Sequence, residues 1–168
     1  VQNANKIISD LLDFAKPKLL EFKRNDINQL LEEICRLIKI DFSKSRIRIL
    51  RRFDRNLPKI LCDKESLKQV FFNLLMNSKQ AMPNGGVISI TTSYNLNGQA
   101  INIVIRDTGK GILKEHMLNI FNPYFTTKEQ GTGLGLSIVH RIVTDHHGKI
   151  LPESREGKGT KMNITLQV

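Results

Sequence analysis

Asn73 and Asn77 stand four residues apart in a stretch whose apolar residues, Leu67, Val70, Phe71, Leu74 and Leu75, recur at helical spacing. Both amides therefore project from one helix face beside an apolar stripe. Amide oxygens are neutral, hard ligands, suited to Mg²⁺, which keeps several waters and shares its remaining positions with phosphate oxygens. Further on, Gly131 to Leu136 reads Gly-Thr-Gly-Leu-Gly-Leu and runs into Ser137-Ile-Val-His-Arg-Ile-Val, a glycine-rich loop opening onto an amphipathic helix. Glycines let backbone N–H groups approach an anion without Cβ clashes, and the unpaired amides at the helix start add the positive end of a dipole.

Between these lie two more blocks. Asp107-Thr108-Gly109-Lys110-Gly111 follows an apolar strand. A carboxylate at a strand end, with glycines leaving room for a flat ring, can accept a hydrogen bond from an exocyclic amine such as that of adenine. Phe121 to Lys128 is aromatic and then cationic, so the rings can pin a loop to the core while Lys128 reaches a phosphate as a point charge. Gly157-Lys158-Gly159-Thr160 puts a small hydroxyl at the start of the last strand. Each block has a plainer reading alone: a polar helix network, a tight turn, a surface loop, a mobile glycine run. Together they point at one ligand.

The elements that must position these residues are legible in outline. Asp26 caps a helix with Ile27, Leu30, Leu31, Ile34, Leu37 and Ile38 on its buried side, and Asp63 opens the helix bearing the asparagines. Pro83-Asn84-Gly85-Gly86 stops that second helix. Arg46 to Phe53 alternates as a half-exposed strand, Val87 to Tyr94 and Ala100 to Arg106 read as a pair around a turn, and Leu134 to His147 is a further amphipathic helix. Lys149 to Ser154 and Thr160 to Val168 close the chain as strands, with Pro152 pointing to an edge position. The fold class is α+β: a two-layer α/β sandwich, one mixed and mostly antiparallel sheet packed on about three helices.

The 168 residues are enough for one domain burying roughly 70% of its unfolded surface. No apolar run approaches the roughly 20 residues that span a bilayer, which gives a cytoplasmic expectation for this chain, whose parent can still be anchored to a membrane. Cys35 and Cys62 read as two buried thiols. The formal charge of +10 draws attention to Arg46, Arg48, Arg51, Arg52 and Arg55. With no aromatic residues interleaved to stack bases, they read as a solvated strand face, and no nucleic-acid partner is expected. Val1 to Ala15 carries an apolar stripe at Ile7, Ile8, Leu11, Leu12 and Phe14, ended by Pro17. That suggests the tail of a longer helical hairpin or coiled coil, with 18–25 as a linker.

The chain resembles the catalytic and ATP-binding domain of bacterial sensor histidine kinases, in the GHKL superfamily with the Bergerat ATP-binding fold. Gln69 to Ser78 is similar to its N box, Asp107 to Gly111 to its G1 box, Phe121 to Phe125 to its F box and Gly131 to Gly135 to its G2 box. Asn77 to Gly86 and the short lid Phe125 to Lys128 resemble the nitrogen-regulatory branch. Leu12 to Pro17 looks like the last turns of a dimerisation helix. The implied domains are 1–17, the end of that helix, 18–25, the linker, and 26–168, the catalytic and ATP-binding domain.

The resemblance implies ATP and Mg²⁺ as cofactors, with Asn77 the metal ligand and catalytic positions at Asn73 and Lys128. Asp107 is expected to bind the adenine amine, aided by Thr160, with Gly109 and Gly111 giving the ring space. Ile112, Phe125, Thr126, Thr127, Gly131, Thr132, Gly133, Leu134, Gly135 and Leu136 complete the implied nucleotide contacts, the glycines acting as the hinge of a lid. ATP-hydrolysing relatives carry a glutamate general base at the equivalent helical position, and an amide cannot accept that proton, which favours phosphoryl transfer over hydrolysis. One departure is Gln80, where many sensor kinases have a basic residue. Phosphate neutralisation then leans on Lys128, with Lys79 the weaker candidate because it points off the Asn77 face.

None of His116, His140, His146 or His147 lies in the family's phosphoacceptor context. All four read as structural or solvated. The expected reaction is transfer of the γ-phosphoryl of Mg-ATP to a histidine on a dimerisation domain outside this sequence, for relay to the aspartate of a response-regulator receiver domain, in a homodimeric parent. The rival readings are a GHKL ATPase or protein kinase of another branch, and a nucleotide-sensing module without transfer activity.

Overall fold

The computed structural model describes residues 20–97, 99–128 and 131–168. The stripe at 1–15, and with it the expected end of a dimerisation domain at 1–17, lies outside the described residues. The chain runs β1 (Lys23–Asn25), α1 (Ile27–Lys44), β2 (Ile47–Arg52), β3 (Ile60–Cys62), α2 (Lys64–Gln80), β4 (Gly86–Asn95), β5 (Ala100–Asp107), a 3₁₀ turn (Lys114–His116), α3 (Gly135–Asp145), β6 (Lys149–Arg155) and β7 (Gly159–Gln167). Asp26 and Asp63 cap α1 and α2 as expected, accepting from the amides of Gln29 and Ser66.

Five strands form one sheet in the order β2, β4, β5, β7, β6, with β2 parallel to β4 and every other pair antiparallel. Alternation sends Ile88 and Ile90 of β4, Ile101, Ile103 and Ile105 of β5, and Met162, Ile164 and Leu166 of β7 to one face, where all are buried. The register sets Ile90 opposite Ile105, and Ile105 opposite Met162, so the inward rows line up across the sheet. The helices cover that face and share one continuous core with it, while Ser89, Asn102, Arg106 and Lys161 alternate to the wetter side. The expected two-layer sandwich with a mixed, mostly antiparallel sheet is borne out. Pro152 lies on β6, the edge strand of the sheet, as expected.

Two local expectations change. In the stretch read as a linker, Lys23–Asn25 pairs antiparallel with Ile60–Cys62, and the amide of Glu21 donates to the Asp63 carboxylate at 3.0 Å. Three-residue strands show no periodicity, and their pairing depends on a partner nearly forty residues away. On α1, Leu37 is 71% exposed instead of buried. The buried row runs through Ile27, Leu31, Ile34, Ile38 and Phe42, and Leu37 sits about a quarter-turn from its centre at 100° per residue.

Cys35 and Cys62 are free and buried. Burial pushes both thiols up to about 11, so at neutral pH they remain unionised and weakly nucleophilic. Arg51 pairs with Glu32 at 2.7 Å on the exposed side of β2, in keeping with the solvated reading of the arginines.

Candidate functional site

Inward alternation on β5 continues past Ile101, Ile103 and Ile105 to Asp107, and on β7 it begins with Thr160 before Met162. These two polar residues therefore face the helix layer from neighbouring strands at one end of the sheet. Asp107 is only 4% exposed. Its Oδ1 accepts from the amides of Gly109 at 2.9 Å and Thr160 at 3.2 Å, and its Oδ2 accepts from the Ser78 hydroxyl at 3.1 Å. A carboxylate offers about four lone-pair positions, so three protein donors hold it while acceptor capacity remains on Oδ2. Thr160 Oγ1 lies 2.9 Å from Ser154 Oγ, which also accepts from the amide of Ile112 at 2.9 Å, tying β6 and the loop after β5 into the same network.

In front of Asp107 opens a cavity of about 700 Å³, within the size range of small-molecule sites. Asn73, Asn77, Asp107, Gly111, Ile112, Phe125, Thr126, Thr127, Lys128, Gly131, Thr132, Gly133, Gly135, Leu136 and Thr160 all line it. The separate sequence blocks thus converge on one space. Two expected positions do not line it. Gly109 is buried, and a Cβ there would come within 2.8 Å of the Ala81 carbonyl, so a glycine is needed there for close approach to the end of α2. Leu134 is 1% exposed in the core, where its carbonyl accepts from the amide of Ile138 at 2.9 Å and starts α3.

On α2, Asn73, Asn77 and Gln80 recur at i, i+4 and i+7, which presents three amides to the cavity. Lys128 Nζ donates to Asn77 Oδ1 at 3.3 Å and to Gln80 Oε1. Lys79 turns away, as its position on the helix implied: its Nζ lies 2.6 Å from Asp41 Oδ2 and over the Phe42 ring. The loop before α3 is held by backbone contact. Gly133 has φ +67°, and a Cβ there would sit 2.3 Å from the carbonyl carbon of Tyr124, so both its dihedral and its surroundings demand glycine. Helix α3 has Leu134 as its N-cap residue and no side-chain cap, leaving its first amides to serve an anion.

Several lining residues escaped sequence reading. Ser78 carried a signal: it continues the buried row Phe71, Leu74 and Leu75, and a hydroxyl in such a row needs a partner. Replacing Ser78 by alanine would deprive a buried carboxylate of a donor, at about 1–3 kcal/mol. The thermal unfolding midpoint is expected to fall by several degrees; an unchanged midpoint would show that Asp107 does not depend on this hydroxyl. His116 lines the cavity and meets Phe125 edge-on at 5.5 Å between ring centres. His146, by contrast, is buried and structural: its Nε2 accepts from the amide of Asp63 at 2.9 Å and its Nδ1 lies 2.8 Å from the Ile142 carbonyl.

The donor set fits a purine nucleotide with a divalent cation. A buried carboxylate with an acceptor position to spare suits an exocyclic amine, neutral amide oxygens on α2 suit Mg²⁺, and Lys128 with the uncapped start of α3 suits phosphates.

Comparison with known proteins bears on the nucleotide. The profile of the family described as histidine kinase-, DNA gyrase B- and HSP90-like ATPase matches residues 62–168. The chain is 40% identical over 164 residues to the sensor histidine kinase ZraS of Escherichia coli (strain K12), covering 98% of this chain and 35% of that protein. The chain thus spans about a third of the length of that relative. Among solved structures, full-length ShkA in complex with AMPPNP superposes with a TM-score of 0.85 at 26% identity, covering 96% of this chain and 35% of that one. The histidine kinase ThkA in complex with the response regulator protein TrrA does so with a TM-score of 0.82 at 29% identity, covering 98% and 47%.

Proposed function

The chain belongs to the histidine kinase-, DNA gyrase B- and HSP90-like ATPase family, as an ATP-binding catalytic domain of the sensor histidine kinase type, and from that premise we propose that it transfers the γ-phosphoryl of Mg-ATP to a histidine on a separate dimerisation domain. The observation that supports this reading is the convergence of the asparagine pair, Asp107, Lys128 and the glycine loop on one cavity. Asp107 would hold the adenine amine, Asn77 the Mg²⁺, and Lys128 with the amides before α3 the phosphates. Bound Mg²⁺ supplies charge neutralisation at the phosphates.

The acceptor is proposed to lie outside these residues, because His146 is enclosed and both its ring nitrogens are engaged. His116 and His140 lie against Phe125 and Phe121. Residues 1–17 are proposed as the end of a dimerisation helix. Because Glu21 and Lys23–Asn25 bond into the fold, the connecting segment would end before them. The parent is proposed to be a homodimer passing its phosphoryl group to a response-regulator receiver domain, the kind of partner bound by ThkA. Among the described residues no helix is long and apolar enough to cross a membrane, and we propose a cytoplasmic position for the domain.

The test is reconstitution. The chain is mixed with a fragment containing the dimerisation helices of a similar sensor kinase and with γ-labelled ATP, and label is followed on the acceptor histidine. Label there, absent when Mg²⁺ is chelated, is the expected result. ATP bound without label would favour a nucleotide-sensing module, and steady phosphate release by the chain alone would favour an ATPase of another branch, a reaction for which Asn73 offers no general base.

A further inference from the structure

We infer that Gln80 is a positioning residue for Lys128: its side-chain amide keeps the lid ammonium at the cavity when a metal ion claims Asn77. The inference rests on the nucleotide-binding reading above. Lys128 Nζ reaches two acceptors on α2, Asn77 Oδ1 at 3.3 Å and Gln80 Oε1. The first of these is the oxygen proposed to ligate Mg²⁺. As the structure stands, therefore, the ammonium lies against the oxygen that would hold the metal, and a divalent cation bound there would repel it from that contact.

Gln80 offers the ammonium a second hold on α2. It lies three residues beyond Asn77, almost one turn along the same face, and both residues line the cavity. An ammonium carries three N–H groups, so Lys128 can keep its bond to Gln80 while turning another N–H to a phosphate oxygen. The lid side of the contact is shaped locally: the Lys128 amide donates to Thr126 Oγ1 at 3.1 Å, and the Gly131 amide donates to the Lys128 carbonyl at 3.2 Å. Lys79, the neighbouring cation on α2, is held by Asp41. A basic side chain at position 80 would repel Lys128 from this place. A neutral amide with its oxygen toward the ammonium does the reverse, so that one cation on the lid serves where one on the helix would otherwise stand.

A double-substitution cycle on the full chain tests this, with Mg-ATP affinity read by calorimetry. Gln80→Leu is expected to weaken binding about three- to ten-fold and Lys128→Met about ten-fold. The doubly substituted protein should bind like Lys128→Met alone, within about two-fold, because Gln80 acts only through the lysine. If Gln80→Leu leaves affinity unchanged while Lys128→Met weakens it, or if the two losses multiply, the positioning role is overturned and the nucleotide site stands. Unchanged affinity in Lys128→Met would overturn this inference together with the lid's proposed contact to phosphate.

Discussion

Replacing Asp107 by asparagine is expected to lower ATP affinity by one to two decades while leaving the fold in place. The geometry separates the two effects. An asparagine oxygen in the place of Oδ1 still accepts from the amides of Gly109 and Thr160, and its NH₂ group in the place of Oδ2 can donate to Ser78, whose hydroxyl turns to accept. The protein-side network therefore closes again. What changes is the remaining acceptor position on Oδ2, which becomes a donor facing the proposed adenine amine. Losing a hydrogen bond to a charged acceptor and opposing two donors is worth roughly 1.5–3 kcal/mol, or about one to two decades in Kd. Calorimetric titration with ATP measures it, with thermal unfolding as the control for the fold. Undiminished affinity would remove Asp107 from the adenine site.

The second large effect is expected at Asn77. Alanine there keeps the helix, since alanine is the best helix former, but takes away the amide oxygen proposed as the metal ligand and frees Lys128 from one of its two acceptors on α2. In the parent chain, Mg²⁺ is expected to tighten ATP binding. In Asn77→Ala that increment should vanish, so that affinities with Mg²⁺ and with chelator converge. Phosphoryl transfer to a supplied dimerisation fragment should fall by at least about a hundred-fold, the consequence of losing close to 3 kcal/mol of charge stabilisation. Paired titrations with and without metal decide the first part, and single-turnover labelling the second. A metal increment that survives the substitution would move the ligand role elsewhere, with Asn73 the next candidate by position.

These expectations differ in how far the sequence alone could carry them. The residue types were legible because each lies in a block with a local signature: amides at i and i+4 beside an apolar row, a carboxylate ending an alternating strand, glycines opening a helix. The role of Gly109 was not. Sequence suggests that it makes room for a ring, but its neighbour is Ala81 at the end of α2, a contact made only when helix and sheet are packed. Ser78 and Gln80 were open to partial reading, as a hydroxyl in a buried row and as a neutral residue in place of a basic one. Their partners, Asp107 and Lys128, stand 29 and 48 residues away. Strand β1 gave no sign of itself, because three residues have no period and their ladder is formed with β3.

Legible from the chain alone are the apolar faces of the longer helices and strands, where the helices start, and which chemical groups are carried at the ends of strands and along the asparagine helix. These follow from spacing and local backbone chemistry, which need no distant partner. The tertiary structure decided what those groups meet: that alternation on β5 and β7 delivers Asp107 and Thr160 to one end of the sheet, that α2 lies across it with its amides turned to the same cavity, and that Lys128 settles on Asn77 and Gln80. The reason is burial. Removing the apolar rows from water brings the elements together in one arrangement, and the polar residues at their ends are held where that packing leaves them.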